Sequence, residues 1–186
     1  MKLEDGTNYK FLDFPALPAE LEQECLEQVN KNEFFIFDLG KQTWEGQMIL
    51  NGQPVYRKQC IFEVFDAPKS VKEWIFDNKI VTDLDTRIGV QRSHGGNALL
   101  PHTDRPKNYN IELSNLKNVA NGRQVAWNYL LSEPGPVTCF YGSLDINSLI
   151  ESVILPKSSW HELNVSNIHG VENITSERIS LSISLN

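Results

Sequence analysis

At 186 residues the chain has room for one domain with a sizeable core but not for two. Its 40% hydrophobic and 22% charged residues are ordinary for a soluble globular protein. Seventeen basic against 24 acidic residues leave a net charge of −7, which repels phosphate backbones and argues against nucleic acid as the main partner.

Other classes drop out on motifs. The three cysteines, Cys25, Cys60 and Cys139, are odd in number and far apart, so neither a disulfide framework nor a Cys-x-x-Cys site is expected. They read as buried free thiols. The opening MKLEDGTNYK lacks the apolar core of a signal peptide, and no apolar run approaches the roughly 20 residues that span a bilayer. A cytoplasmic location without membrane contact is the expectation.

In chain order, Pro18 to Asn32 is predicted as a helix, with Leu21, Cys25, Leu26 and Val29 on one face and acids near its start. Phe34 to Asp38 and Gln59 to Phe65 are rich in aromatic and β-branched residues and read as strands. Ser70 to Asn78 is a second, shorter helix carrying Val71, Trp74 and Ile75 at helical spacing. From about Asp85 the chain becomes a series of short β-prone runs. They are Thr86 to Gln91, Asn108 to Leu113, Val125 to Leu131, Val137 to Tyr141, Ser152 to Leu155, Trp160 to Val165 and Ile179 to Leu185. Turn signals such as Gly95-Gly96, Asn121-Gly122 and Pro134-Gly135-Pro136 separate them. The organisation predicted is a single domain: an α+β lead-in over 1–84 packing on a β-barrel core over 85–186, of sandwich or jelly-roll type.

Alternation in the last run is its clearest geometry. Ile179, Leu181, Ile183 and Leu185 share one face, and Arg178, Ser180, Ser182 and Ser184 share the other. Arg178 and Ser180 therefore point the same way, toward a shared ligand or else into solvent.

The chemistry centres on His102, Thr103 and Asp104. On an extended segment, residues i and i+2 lie on one side, so His102 and Asp104 are placed to chelate together. Pro101 and Pro106 stiffen the segment and limit regular strand. Chance alone yields a His-x-Asp pair in roughly one such chain in five, given four histidines. A later His169 followed by Arg178-Ile179-Ser180 makes the combination far more specific. Two imidazoles and one carboxylate suit a non-haem Fe(II) and leave positions open. His161 competes as the third ligand, but its 17 residues to Arg178 are long beside the nine from His169. His94 reads as a loop residue at a pocket mouth. Arg92 and Arg105 are candidates for contact with an anionic substrate. Asn128 alternates with Trp127 and Tyr129, which makes it a polar lumen residue near a bound co-substrate if those two are core aromatics.

The segments LLPHTDRP and IHGVENITSERISLSISL resemble those of the Fe(II)/2-oxoglutarate-dependent oxygenases, within them the prolyl-hydroxylase-like branch and short phage-type relatives. The likeness runs from Gly89 to Leu185. It implies a mainly β protein with N-terminal helices, built on a double-stranded β-helix, a jelly-roll barrel like that of the cupins. It implies that His102, Asp104 and His169 bind the iron, and that Arg178 and Ser180 hold the distal carboxylate of 2-oxoglutarate, the fork of an arginine matching a carboxylate. It implies that O2 is consumed, that 2-oxoglutarate becomes succinate and that a peptidyl or small-molecule substrate is oxidised, usually by hydroxylation. The demethylase pattern Arg-x-Asn-x-x-x-x-Arg is absent, which again counts against nucleic acid. A non-catalytic jelly-roll module and a metal-dependent cupin enzyme without 2-oxoglutarate are the alternatives.

Overall fold

The computed structural model describes residues 4–33, 35–38, 47–56, 60–83, 86–96, 98–104 and 125–185. The first half holds β1 (Tyr9–Phe11), α1 (Ala19–Asn30), β2 (Phe35–Asp38), β3 (Gln47–Leu50), β4 (Gln53–Tyr56), β5 (Ile61–Asp66) and α2 (Lys69–Asp77). The second half holds β6 (Arg87–His94), β7 (Leu99–His102), β8 (Val125–Leu130), β9 (Val137–Tyr141), β10 (Leu149–Ile154), β11 (Trp160–Asn164), β12 (His169–Glu172) and β13 (Glu177–Leu185).

Each helix starts after a proline whose φ is already helical but whose ψ is extended, Pro18 for α1 and Pro68 for α2. Glu20 and Glu22 face the positive end of the α1 dipole. Leu21, Cys25, Gln28 and Val29 form the buried stripe of α1, and Val71 and Ile75 that of α2.

Strands from the whole chain make a seven-stranded sheet in the order β1-β11-β8-β13-β6-β5-β2 and a four-stranded sheet in the order β10-β9-β12-β7. A hairpin, β3-β4, stands apart. All the pairings are antiparallel. From β6 onward the chain passes back and forth between the two larger sheets. β6, β8, β11 and β13 enter the first, and β7, β9, β10 and β12 the second. That winding is the double-stranded β-helix, or jelly roll.

The seven-stranded sheet separates two interiors. Ile88, Val90, Tyr129, Trp160, Ile179, Leu181 and Ile183 cover one face and pack against α1 and α2. Burying each large side chain there stabilises the chain by about 1.5–3 kcal/mol. The other face turns toward the four-stranded sheet, where Ala126 and Leu163 pack with Phe140. This second interior is the barrel lumen. Cys25, Cys60 and Cys139 are all buried free thiols.

Several elements differ from expectation. β10 starts at Leu149, not Ser152, because Leu149, Ile150 and Glu151 extend its ladder with β9 across an irregular register. β6 runs on to His94, held by β13 on one side and β5 on the other. β1, β3, β4, β7 and β12 had no counterpart among the expected strands. The expected strand Asn108 to Leu113 lies outside the described residues. Among the described residues no helix is long and apolar enough to cross a membrane.

Candidate metal centre and barrel lumen

β7 and β12 are antiparallel neighbours at the edge of the four-stranded sheet, with His102 opposite His169 and Leu99 opposite Val171. Between those pairs β7 has Leu100 and Pro101 where β12 has Gly170 alone, which is a bulge. Pro101 accounts for its position, since proline has no N–H for the ladder and is tolerated at an edge or bulge. Gly170 accounts for how the strands still meet. A Cβ there would lie 2.6 Å from the Leu99 carbonyl oxygen.

Backbone carbonyls orient both rings. Nδ1 of His102 donates to the Leu100 carbonyl at 2.7 Å, and Nδ1 of His169 to the Asn167 carbonyl at 3.0 Å. A carbonyl only accepts, so each Nδ1 donates, and Nε2 is the ring atom left for another ligand. Both Nε2 atoms converge on Asp104, whose Oδ1 is 3.5 Å from Nε2 of His102 and 3.7 Å from Nε2 of His169. The Asp104 backbone N–H is pinned to the Val165 carbonyl at 3.0 Å.

The three donor atoms lie within 4.8 Å of one another. Their contacts with Asp104 are too long for hydrogen bonds. Ligands about 2.1 Å from one shared ion would be roughly 3–3.5 Å apart, close to what is seen. Two neutral imidazoles and one carboxylate fit a divalent first-row metal and leave coordination positions for other ligands. This group takes in His169 and not His161.

Across the lumen, Arg178 begins the polar face of β13. Its guanidinium is enclosed by protein atoms, although the residue keeps some accessible surface. Nη2 donates to Thr138 Oγ1 at 3.2 Å. Among the described residues no carboxylate pairs with it. Burial pushes Arg178 down to about 10, so it is still a cation at neutral pH. Ser180 and Ser182 follow on the same face and are buried, so that face looks into the lumen and not into solvent. Register sets Asn128 beside Ser182 on one side and His161 on the other. Asn128 is buried, and its Oδ1 has no hydrogen-bond partner among the described residues.

Trp127 and Tyr129 occupy the opposite face of β8. The Tyr129 hydroxyl donates to Glu22 at 2.5 Å, tying the sheet to α1, and the Trp127 indole donates to Glu162 at 2.8 Å.

His94 and Arg92 belong to that outer face as well. Nε2 of His94 lies 2.9 Å from Glu63 Oε2, and Arg92 is 2.6 Å from the same oxygen. Arg92 also donates to the Val29 carbonyl and to Asn32. Neither residue lines a lumen mouth or stands free for a substrate, because β6 alternation turns both away from the barrel. Arg105 lies outside the described residues. Sequence reasoning did not single out Thr138, Gly170 or the lumen position of His161. Alternation along β11, with Trp160 and Glu162 outward, held the signal for His161.

The sequence matches no protein-family model and no curated protein. Solved structures are similar in fold. A prolyl-4-hydroxylase from Pseudomonas putida superposes with a TM-score of 0.51 at 13% identity, covering 96% of this chain and 92% of that one. The non-haem α-ketoglutarate-dependent epimerase SnoN of nogalamycin biosynthesis gives a TM-score of 0.51 at 13% identity, over 95% and 76%. This chain has their fold. His102, His169 and Arg178 sit on strands of both sheets of that shared barrel, and Asp104 lies two residues past the end of β7.

Proposed function

We propose that the chain is an Fe(II)- and 2-oxoglutarate-dependent oxygenase, a hydroxylase of a small-molecule or peptidyl substrate. One observation carries the reading. An enclosed arginine without a carboxylate partner among the described residues shares a barrel with a donor set of two imidazoles and a carboxylate. A buried charge left unpaired is costly, and an anionic ligand relieves that cost.

His102, Asp104 and His169 would hold the iron. Asp104 supplies one negative charge, which leaves a divalent ion able to accept an anion. Arg178 would grip the distal carboxylate of 2-oxoglutarate, since a planar fork binds a carboxylate through two parallel hydrogen bonds. Thr138 holds the guanidinium, Ser180 adds a hydroxyl, and Asn128 gives the lumen a further polar group. Arg105, next in sequence to the metal group, is assigned to substrate contact. When bound, iron and 2-oxoglutarate supply oxygen activation, with the keto acid leaving as succinate and carbon dioxide. The chain's own part is to orient these ligands and keep the lumen enclosed. The names of the two neighbours in fold, a prolyl hydroxylase and an α-ketoglutarate-dependent epimerase, support the reading.

The test is anaerobic titration of the Fe(II)-loaded protein with 2-oxoglutarate, following the metal-to-ligand charge-transfer band in the visible. A saturable band is expected, lost in His169→Ala and weakened in Arg178→Ala while iron stays bound. No band from folded, iron-loaded protein would refute use of 2-oxoglutarate. Failure to bind iron would leave a non-catalytic jelly roll.

A further inference from the structure

Among the described residues, three buried side-chain polar atoms have no hydrogen-bond partner: Asn128 Oδ1 and both ring nitrogens of His161. The two residues are register partners on β8 and β11, so their side chains stand side by side on the lumen face. His161 has no accessible surface at all. Ala126, Phe140 and Leu163 make the apolar wall of the same lumen.

A leucine at 161 would suit such a wall better. Each buried polar atom left unpaired costs about 1–3 kcal/mol, and native chains rarely carry two on one ring without a reason. The Ser159 carbonyl is near enough to influence the ring but does not reach hydrogen-bonding geometry. The metal group offers no explanation either, since it is complete without His161. What His161 does feel is the charge of Arg178. Burial and then that charge keep its ring neutral, pushed down to about 3. A second cation beside Arg178 would be repelled, whereas a neutral N–H adds a hydrogen bond to an anion without that repulsion.

We infer that His161 is a co-substrate-selecting residue: its ring donates an N–H to the distal carboxylate held by Arg178, with Asn128 beside it completing the polar floor of the lumen. The inference rests on the 2-oxoglutarate reading above. Donors fixed on β13 and β11 suit a dicarboxylate, and a keto acid without a distal carboxylate leaves them unpaired. Sites built around such hydrogen bonds discriminate strongly against ligands that lack the group.

Calorimetric titration of the Mn(II)-loaded protein with 2-oxoglutarate and with pyruvate separates the possibilities without turnover. Wild type should bind 2-oxoglutarate well and pyruvate poorly. His161→Leu should weaken 2-oxoglutarate about tenfold, with Mn(II) and pyruvate affinity unchanged and the unfolding midpoint of the metal-free protein not lowered. His161→Gln, which keeps a neutral donor, should stay within about threefold of wild type. Unchanged 2-oxoglutarate affinity in His161→Leu overturns the inference, as do equal losses in both variants. A parallel loss of pyruvate or Mn(II) binding overturns it too, by moving His161 to the metal. A lowered midpoint would make the ring structural. Wild type that fails to bind 2-oxoglutarate refutes the underlying reading instead, which keeps the two failures apart.

Discussion

Gly170→Ala tests whether the close approach of β12 to β7 builds the metal group. A Cβ at residue 170 would stand 2.6 Å from the Leu99 carbonyl oxygen, 3.3 Å from the Leu100 carbonyl carbon and 3.4 Å from the Pro101 nitrogen. All three are backbone atoms, so no rotamer change relieves the clash. Carbon and oxygen sit comfortably near 3.5 Å, so the strands must part by up to about 0.9 Å at this point. His169 is the adjacent residue and faces His102 across that gap. A functional constellation tolerates roughly 0.5 Å, so the displacement exceeds what the donors can absorb. Overpacking of this kind costs about 1–3 kcal/mol, or a fall of roughly 3–10 °C in Tm for a chain of this size. Metal affinity should fall further, by about 10–100-fold, as when supports of metal ligands are removed. Anaerobic Fe(II) titration beside thermal melts of the metal-free protein reads both effects. Gly142→Ala is the control, since the nearest atom to its new Cβ would be 3.5 Å away. Gly170→Ala protein that binds Fe(II) within about twofold of wild type would refute the argument.

Two further predictions concern stability. The His161 ring, held neutral down to about pH 3 when folded, regains an ordinary pKa near 6.5 when unfolded, so between those values only the unfolded chain takes up the proton. Stability is therefore lost as pH falls through that window, by up to about 1.4 kcal/mol per unit. Urea denaturation should show wild type losing about 2 kcal/mol more than His161→Gln between pH 7 and pH 5, and equal acid sensitivity would contradict the buried neutral ring. Leu181 has no accessible surface and packs on the helix side of the large sheet, so Leu181→Ala should destabilise by about 2–5 kcal/mol. Its side chain points away from the lumen, so Fe(II) affinity of the folded fraction should not change, and a loss there would place the two interiors in contact.

Local features of the chain were enough for both helices and most of the longer strands, and they put two members of the candidate metal group on one side of the chain. The apolar stripes of α1 and α2 follow helical spacing, and strict alternation in β13 separates Ile179, Leu181 and Ile183 from Arg178, Ser180 and Ser182. His102 and Asp104 are two residues apart on an extended segment, and that spacing alone puts both on one side. These are short-range consequences of backbone geometry, so they can be read without knowing what lies opposite. The tertiary structure decided the pairings. β7 and β12 are four residues each and contain Pro101 and Gly170, residue types that speak against a strand until a bulge and a partner explain them. Spacing to Arg178 favours His169 over His161 as the third ligand, but it does not say where either ring lies. His161 belongs to the seven-stranded sheet beside Asn128, and His169 to the four-stranded sheet beside His102. Which histidine meets Asp104, and that the serine face of β13 is enclosed, depend on contacts between strands far apart in sequence, selected by burying the whole chain at once.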